Sequence, residues 1–228
     1  VEHIAENLVS VEERIAAALA RCGRKREEIT LIAVTKTFPA VVTQAAWEAG
    51  LRHFGENYVQ EFEGKAPELQ GLDGAQYHLI GHLQSNKVNK AVPLFDCIQT
   101  VDSLRLATRI AGALQNAGKK TMDLMIEVKL SEEESKHGCP PAELAALVEG
   151  IRGTPGLTLL GLMTMPPFFD DPEKARPYFA CLRELAAKHS LAALSMGMSN
   201  DFEVAIEEGA THIRLGTVLF GRRTRPVG

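Results

Sequence analysis

A lysine delivered by an apolar strand is the most reactive arrangement in this sequence. In Leu31-Ile-Ala-Val-Thr-Lys-Thr-Phe-Pro39 no charge precedes Lys36, and Pro39 stops the run. An uninterrupted apolar run reads as a strand covered on both faces. Lys36 then emerges at a sheet end, where apolar surroundings disfavour its ammonium form and favour the nucleophilic amine. The plain alternative is a lysine whose stem lies on apolar surface while its amine reaches water. Two loops near the other end of the chain carry different chemistry. Leu194-Ser-Met-Gly-Met-Ser-Asn-Asp201 has a glycine that permits close backbone approach and a Ser-Asn-Asp helix start. Arg214-Leu-Gly-Thr-Val-Leu-Phe-Gly221 places Gly216 and Thr217 just past another apolar run. Outward-pointing N–H groups in such turns form an anion nest. For Ser199 the simpler reading is a helix N-cap.

For these residues to meet, the elements between them must return each one to the same rim. Ile4, Leu8, Val11, Ile15, Leu19 and Cys22 share one helical face, so a helix precedes the first strand, and Gly23 ends it. Further strands are expected at 52–55, 76–80, 95–101, 122–128, 157–164, 194–197 and 212–215. Helical patterns separate them, at 40–49, from 59, from 82, after an Asp102-Ser103 cap, from Pro141, at 172–189 and at 199–208. The charge run from Ser131 to Gly138 reads as a solvated loop. Eight strands alternating with helices, without a break in composition, is the count of a (β/α)8 barrel, with the leading helix filling the place after the last strand. One barrel domain spanning residues 1–228 is expected.

Composition narrows the function classes. The 228 residues are 24% charged and 45% hydrophobic, with a formal net charge of −4 and the two signs interspersed. That pattern gives no electrostatic footprint for nucleic acid, and the few aromatics offer no stacking surface. No run is apolar and long enough to span a membrane, and the first residues do not read as a signal peptide. Cys22, Cys97, Cys139 and Cys181 are scattered without metal-ligand spacing, which argues for reduced thiols in the cytoplasm and against structural zinc.

A barrel places functional groups at the carboxyl ends of its strands. Lys36 then follows the first strand, Asn57 the second, His82 and Gln84 the third, Met163 and Met165 the sixth, Ser195 to Ser199 the seventh and Arg214 to Thr217 the eighth. The loops after strands seven and eight are the usual phosphate site of this architecture. An amine at one end of a pocket and a phosphate nest at the other suit pyridoxal 5′-phosphate, whose aldehyde and phosphate lie on opposite sides of its ring.

The segments Ala33-Val-Thr-Lys-Thr37, His53-Phe-Gly-Glu-Asn-Tyr-Val-Gln-Glu61, His78-Leu-Ile-Gly-His-Leu-Gln-Ser-Asn-Lys87, Leu162-Met-Thr-Met165, Leu194 to Asp201 and Ile213-Arg-Leu-Gly-Thr-Val-Leu-Phe-Gly-Arg222 together resemble the pyridoxal phosphate homeostasis protein family. Thr35 stands where a serine is common. The resemblance implies a barrel like the N-terminal domain of alanine racemase, holding pyridoxal phosphate as an aldimine on Lys36 without established turnover. It also implies that Ser199 and the backbone at Gly216 and Thr217 hold the phosphate, that Arg214 faces the pyridine nitrogen, and that Asn57 and Met196 line the ring.

An arginine at that nitrogen keeps it unprotonated and makes the cofactor a poor electron sink. The alternative for Arg214 is an ion pair with Glu203 or Glu207, and for His82 a structural role. A monomer that buffers the cofactor, and that delivers it to apo forms of pyridoxal phosphate enzymes, is the expected function. A racemase is the enzymatic alternative. It needs a second proton carrier opposite Lys36, for which Tyr58 is the best-placed tyrosine, since one barrel across these 228 residues is expected to leave no room for the second domain that supplies one in alanine racemase. An aldolase that forms a Schiff base through Lys36 without a cofactor gives Arg214 no particular role.

Overall fold

The computed structural model describes residues 2–133 and 137–222. Part of the 131–138 charge run, residues 134–136, therefore lies outside the described residues. Helix α1 (Ile4–Cys22) leads into β1 (Thr30–Val34), followed by α2 (Ala40–Glu48), β2 (His53–Glu56), α3 (Val59–Lys65) and β3 (Gln76–Leu79). Next come α4 (Val88–Leu94), β4 (Cys97–Val101), α5 (Leu104–Ala113), β5 (Met122–Glu127), α6 (Pro141–Arg152) and β6 (Leu157–Met163). The remainder is α7 (Arg176–Lys188), β7 (Ala193–Ser195), α8 (Phe202–Glu207), β8 (His212–Leu215) and α9 (Thr217–Phe220). All eight strands are parallel, in sequence order, and β8 closes on β1 with Ile32 opposite Arg214. This is the (β/α)8 barrel.

Side chains alternate across each strand. One set, including Leu31, Ala33, Phe54, Ile98, Leu124, Leu162 and Ile213, joins the apolar layer beneath the helices. The other set faces the barrel axis, where Cys97, Met125 and Met163 form a small apolar cluster. Buried polar residues, His78, Gln99, Ser195 and Arg214, share that interior with Ile32. Helix α1 covers the seam after β8, tied by Arg14 to Glu203 and by Asn7 Nδ2 donating to Leu219 O at 2.9 Å. Helices differ from the sequence expectation in three places, first where the helix expected from His82 starts only at Val88, after a 3-10 turn at Ser85–Lys87. The segment from Ser199 is a turn, because the Asp201 carboxylate accepts from Met198 N at 2.8 Å and α8 starts only at Phe202. The short α9 was not expected at all, since four residues carry no readable helical period.

Candidate functional site

A cavity of about 330 Å³ opens at the carboxyl ends of the strands. Lys36, Asn57, Ser199, Arg214, Gly216 and Thr217 all line it. Residues 36 and 217 thus face one space, because β1 and β8 are neighbours in the closed barrel.

The wall bearing Lys36 is a tight turn held by buried charge. Thr37 has φ +67°, an unusual value for a β-branched residue. Its N–H donates to Glu61 Oε1 at 2.5 Å. Lys65, buried on α3, donates to Thr35 O at 3.0 Å and Phe38 O at 2.9 Å, gripping the turn from both sides of Lys36. Its ammonium also forms an ion pair with the buried Glu56, which accepts from Thr35 Oγ1 at 3.0 Å. Burial pushes the Glu56 carboxyl up, and Lys65 opposes that shift.

The facing wall is built from backbone. Ser199 Oγ accepts from Gly216 N at 3.4 Å and from Val218 N at 3.3 Å, so it joins the loops after β7 and β8 and does not cap α8. Gly197 makes the first loop possible: its φ is +102°, and an added Cβ would lie 2.6 Å from the Ala205 Cβ. Asn57 is fixed by a comparable close approach, since a Cβ at Gly81 would lie 2.1 Å from Asn57 O.

Arg214 forms the floor. Its NH1 donates to Ser195 Oγ at 2.6 Å and its NH2 to Thr164 O at 3.0 Å. Glu203 pairs with Arg14, and Glu207 with Arg21 and Arg176, so neither is the partner of Arg214. Burial pushes the guanidinium down to about 10, opposed by Asp201 and Glu127, and it stays charged at neutral pH. From it a polar chain crosses the barrel. Ser195 Oγ donates to Gln99 Oε1 at 2.6 Å, Gln99 Nε2 meets His78 Nδ1 at 3.1 Å, and His78 Nε2 meets His53 Nδ1 at 2.9 Å. Because the arginine end can only donate, every bond runs the same way, and His78 carries its proton on Nε2. Burial holds His78 down at about 3, hence neutral.

Met196 is placed differently from the expectation. It is fully buried in the apolar layer and does not line the cavity. Ser195 points into the barrel, so its neighbour must point away. Met163 is core as well, whereas Met165 and Met198 do line the cavity. His82 lines an adjacent cavity together with Tyr58.

The Alanine racemase, N-terminal domain family matches residues 7–224. The pyridoxal phosphate homeostasis protein of Pseudomonas aeruginosa is 43% identical over 222 residues, covering 96% of each chain. The chain belongs to the pyridoxal phosphate homeostasis protein family. PipY of Synechococcus elongatus, solved with PLP bound, is 39% identical with a TM-score of 0.85, covering 96% of this chain and 100% of that one. The alanine racemase of Clostridium difficile shares the fold at 14% identity and a TM-score of 0.72, with 99% of this chain matching 58% of that one.

Against that family background, three features of the site went unread in the sequence. Lys65 sits one helical turn from Phe62 on a buried face, and a cation at an apolar position was the available signal. Glu127 closes the apolar strand β5 near Arg214, and burial raises its carboxyl to about 7. The Gln99–Ser195 link joins residues 96 apart and leaves no local trace. Among the described residues, no helix is long and apolar enough to cross a membrane.

Proposed function

We propose that this chain binds pyridoxal 5′-phosphate through Lys36 and stores and releases it without turning over a substrate. The observation that carries this reading is one cavity with an amine on one wall and a hydroxyl beside two backbone N–H groups on the other. The residues fit the cofactor. Asn57 Oδ1 is buried with no hydrogen-bond partner among the described residues, a vacancy in its bonding that a ring substituent would fill. The long bonds from Gly216 and Val218 to Ser199 are ones that a phosphate oxygen would strengthen.

When bound, pyridoxal phosphate supplies an electrophilic aldehyde conjugated to an electron-accepting ring. Lys36 supplies the amine, Ser199, Gly216 and Thr217 hold the anion, and Arg214 presents only donors toward the ring. A guanidinium that keeps its proton at neutral pH leaves the ring nitrogen unprotonated, which weakens the electron sink and favours storage over catalysis. No tyrosine lines the lysine cavity among the described residues, so the second proton carrier of a racemase is not supported there. Supporting the same reading are the name of the Pseudomonas relative and the PLP-bound form of PipY. The proposal extends to one barrel domain acting as a monomer, to apo pyridoxal phosphate enzymes as recipients, and to a reducing cytoplasm that suits four free cysteines.

The test is absorbance after incubation with pyridoxal phosphate, followed by incubation of the loaded protein with amino acids in deuterated water. A yellow parent, a colourless Lys36→Ala variant and no sustained α-hydrogen exchange are expected. Equal spectra for parent and variant overturn the Lys36 assignment, and exchange through many turnovers overturns storage.

A further inference from the structure

Three consecutive strand-end loops bring together side chains for which the proposed function has no use. His82 follows β3, Asp102 follows β4 and His137 precedes α6, and one donor atom from each lies within 4.8 Å of the others. The rings of His82 and His137 are stacked, with centroids 3.7 Å apart and planes 12° from parallel. We propose that His82, Asp102 and His137 bind a divalent first-row transition ion such as Zn²⁺ or Co²⁺.

The donor set decides the class of ion. Two imidazole nitrogens and one carboxylate oxygen suit borderline metals, whereas Mg²⁺ and Ca²⁺ require oxygen ligands throughout. Three protein ligands leave positions open for water, as in an accessible site. Tetrahedral bonds of about 2.0–2.1 Å bring ligand atoms to roughly 3.4 Å from one another. The ligands must therefore close from 4.8 Å, and the parallel rings must part so that their lone pairs converge. His82 is exposed and can make that rotation, while the other two ligands are half-buried and more firmly held.

Support for those two is already built. Asp102 Oδ2 accepts from Gly138 N at 3.1 Å, which orients the carboxylate as an outer-shell bond does in metal sites. Cys139 N donates to Glu127 O at 2.7 Å and Lys129 N donates to Cys139 O at 3.0 Å, pinning the backbone two residues beyond His137. Burial, with His137 alongside, lowers the His82 imidazole from its ordinary value and favours the neutral ligating form, although Asp102 opposes that. No local spacing announces this set, because its members lie on separate loops.

The test titrates Zn²⁺ and Co²⁺ separately into the whole chain, read by calorimetry and by visible ligand-field bands. One ion per chain is expected, with affinity at least tenfold weaker in His82→Gln, Asp102→Asn and His137→Ala and unchanged in Lys36→Ala. That last variant separates this site from the cofactor proposal. Absence of heat and bands, or equal binding by the parent and the three ligand variants, overturns it. Histidine resonances of the parent chain give a readout that does not depend on variants folding. Zn²⁺ is expected to move those of His82 and His137, and movement of His3 or His189 in their place overturns the assignment.

Discussion

The two walls of the lysine cavity are held by different physics. The turn around Lys36 carries a β-branched residue at positive φ and is clamped by a buried ion pair, Lys65 with Glu56. The facing wall holds no buried ion pair: a glycine at positive φ lets one loop approach the next, a serine hydroxyl links them, and the Asp201 carboxylate braces the turn by accepting from Met198 N. The covalent attachment point proposed at Lys36 must not drift, and buried charge fixes the turn that carries it at a cost in desolvation. The anion cradle proposed for this wall needs its N–H groups available, and those of Gly216 and Val218 are held to Ser199 only by long, exchangeable bonds.

This contrast is broken or sharpened by substitution. The largest effect is expected for Lys65→Met, which leaves Glu56 buried without its cation and should cost about 3–5 kcal/mol in urea unfolding. A loss below about 1 kcal/mol would remove the ionic clamp from the account. Gly197→Ala forces a Cβ toward Ala205 at an unfavourable φ and should cost about 2–3 kcal/mol. If it is neutral, the second wall is looser than described.

The polar barrel interior sets a pH dependence between those two effects and the smallest. His78 titrates at about 3 when folded, against 6.5 as its ordinary value. Its folded pKa is lowered, so the unfolded chain takes up the proton first as pH falls. Stability is then complete above about 6.5 and declines toward pH 3, by about 2 kcal/mol at pH 5 from this group. His78→Gln should remove that share of the decline in unfolding measurements at pH 7 and 5. Ser199→Ala is the mildest change. Stability should fall by less than about 1 kcal/mol, while retention of pyridoxal phosphate in dialysis should weaken roughly tenfold. Equal retention would move the phosphate away from this wall.

How much was legible follows from the range of each interaction. The strands at Leu31–Val34 and His212–Leu215 were readable because apolar runs are local, and Gly197 and Ser199 because a turn needs its residue types in place. Lys36 could be read from its position at a strand end. Met196 was misplaced although the alternation with Ser195 carried the answer, because the family resemblance assigned it to the ring by motif position alone. Lys65 was invisible as a clamp, since a lysine in a helix normally points to water and only the fold shows that this face is covered. The chain from Arg214 to His53 was beyond reach, because its members are dispersed from residue 53 to residue 214 and each taken alone is an ordinary polar residue.

The central claim is that Lys36 is the covalent attachment point in a cavity whose far wall grips an anion. Its most direct test is to treat the whole chain with pyridoxal phosphate, reduce it with borohydride and map the labelled peptide by mass spectrometry. A single label on Lys36 is expected, diminished when inorganic phosphate competes. A label on Lys65, Lys87 or another lysine, or no label at all, would contradict the account.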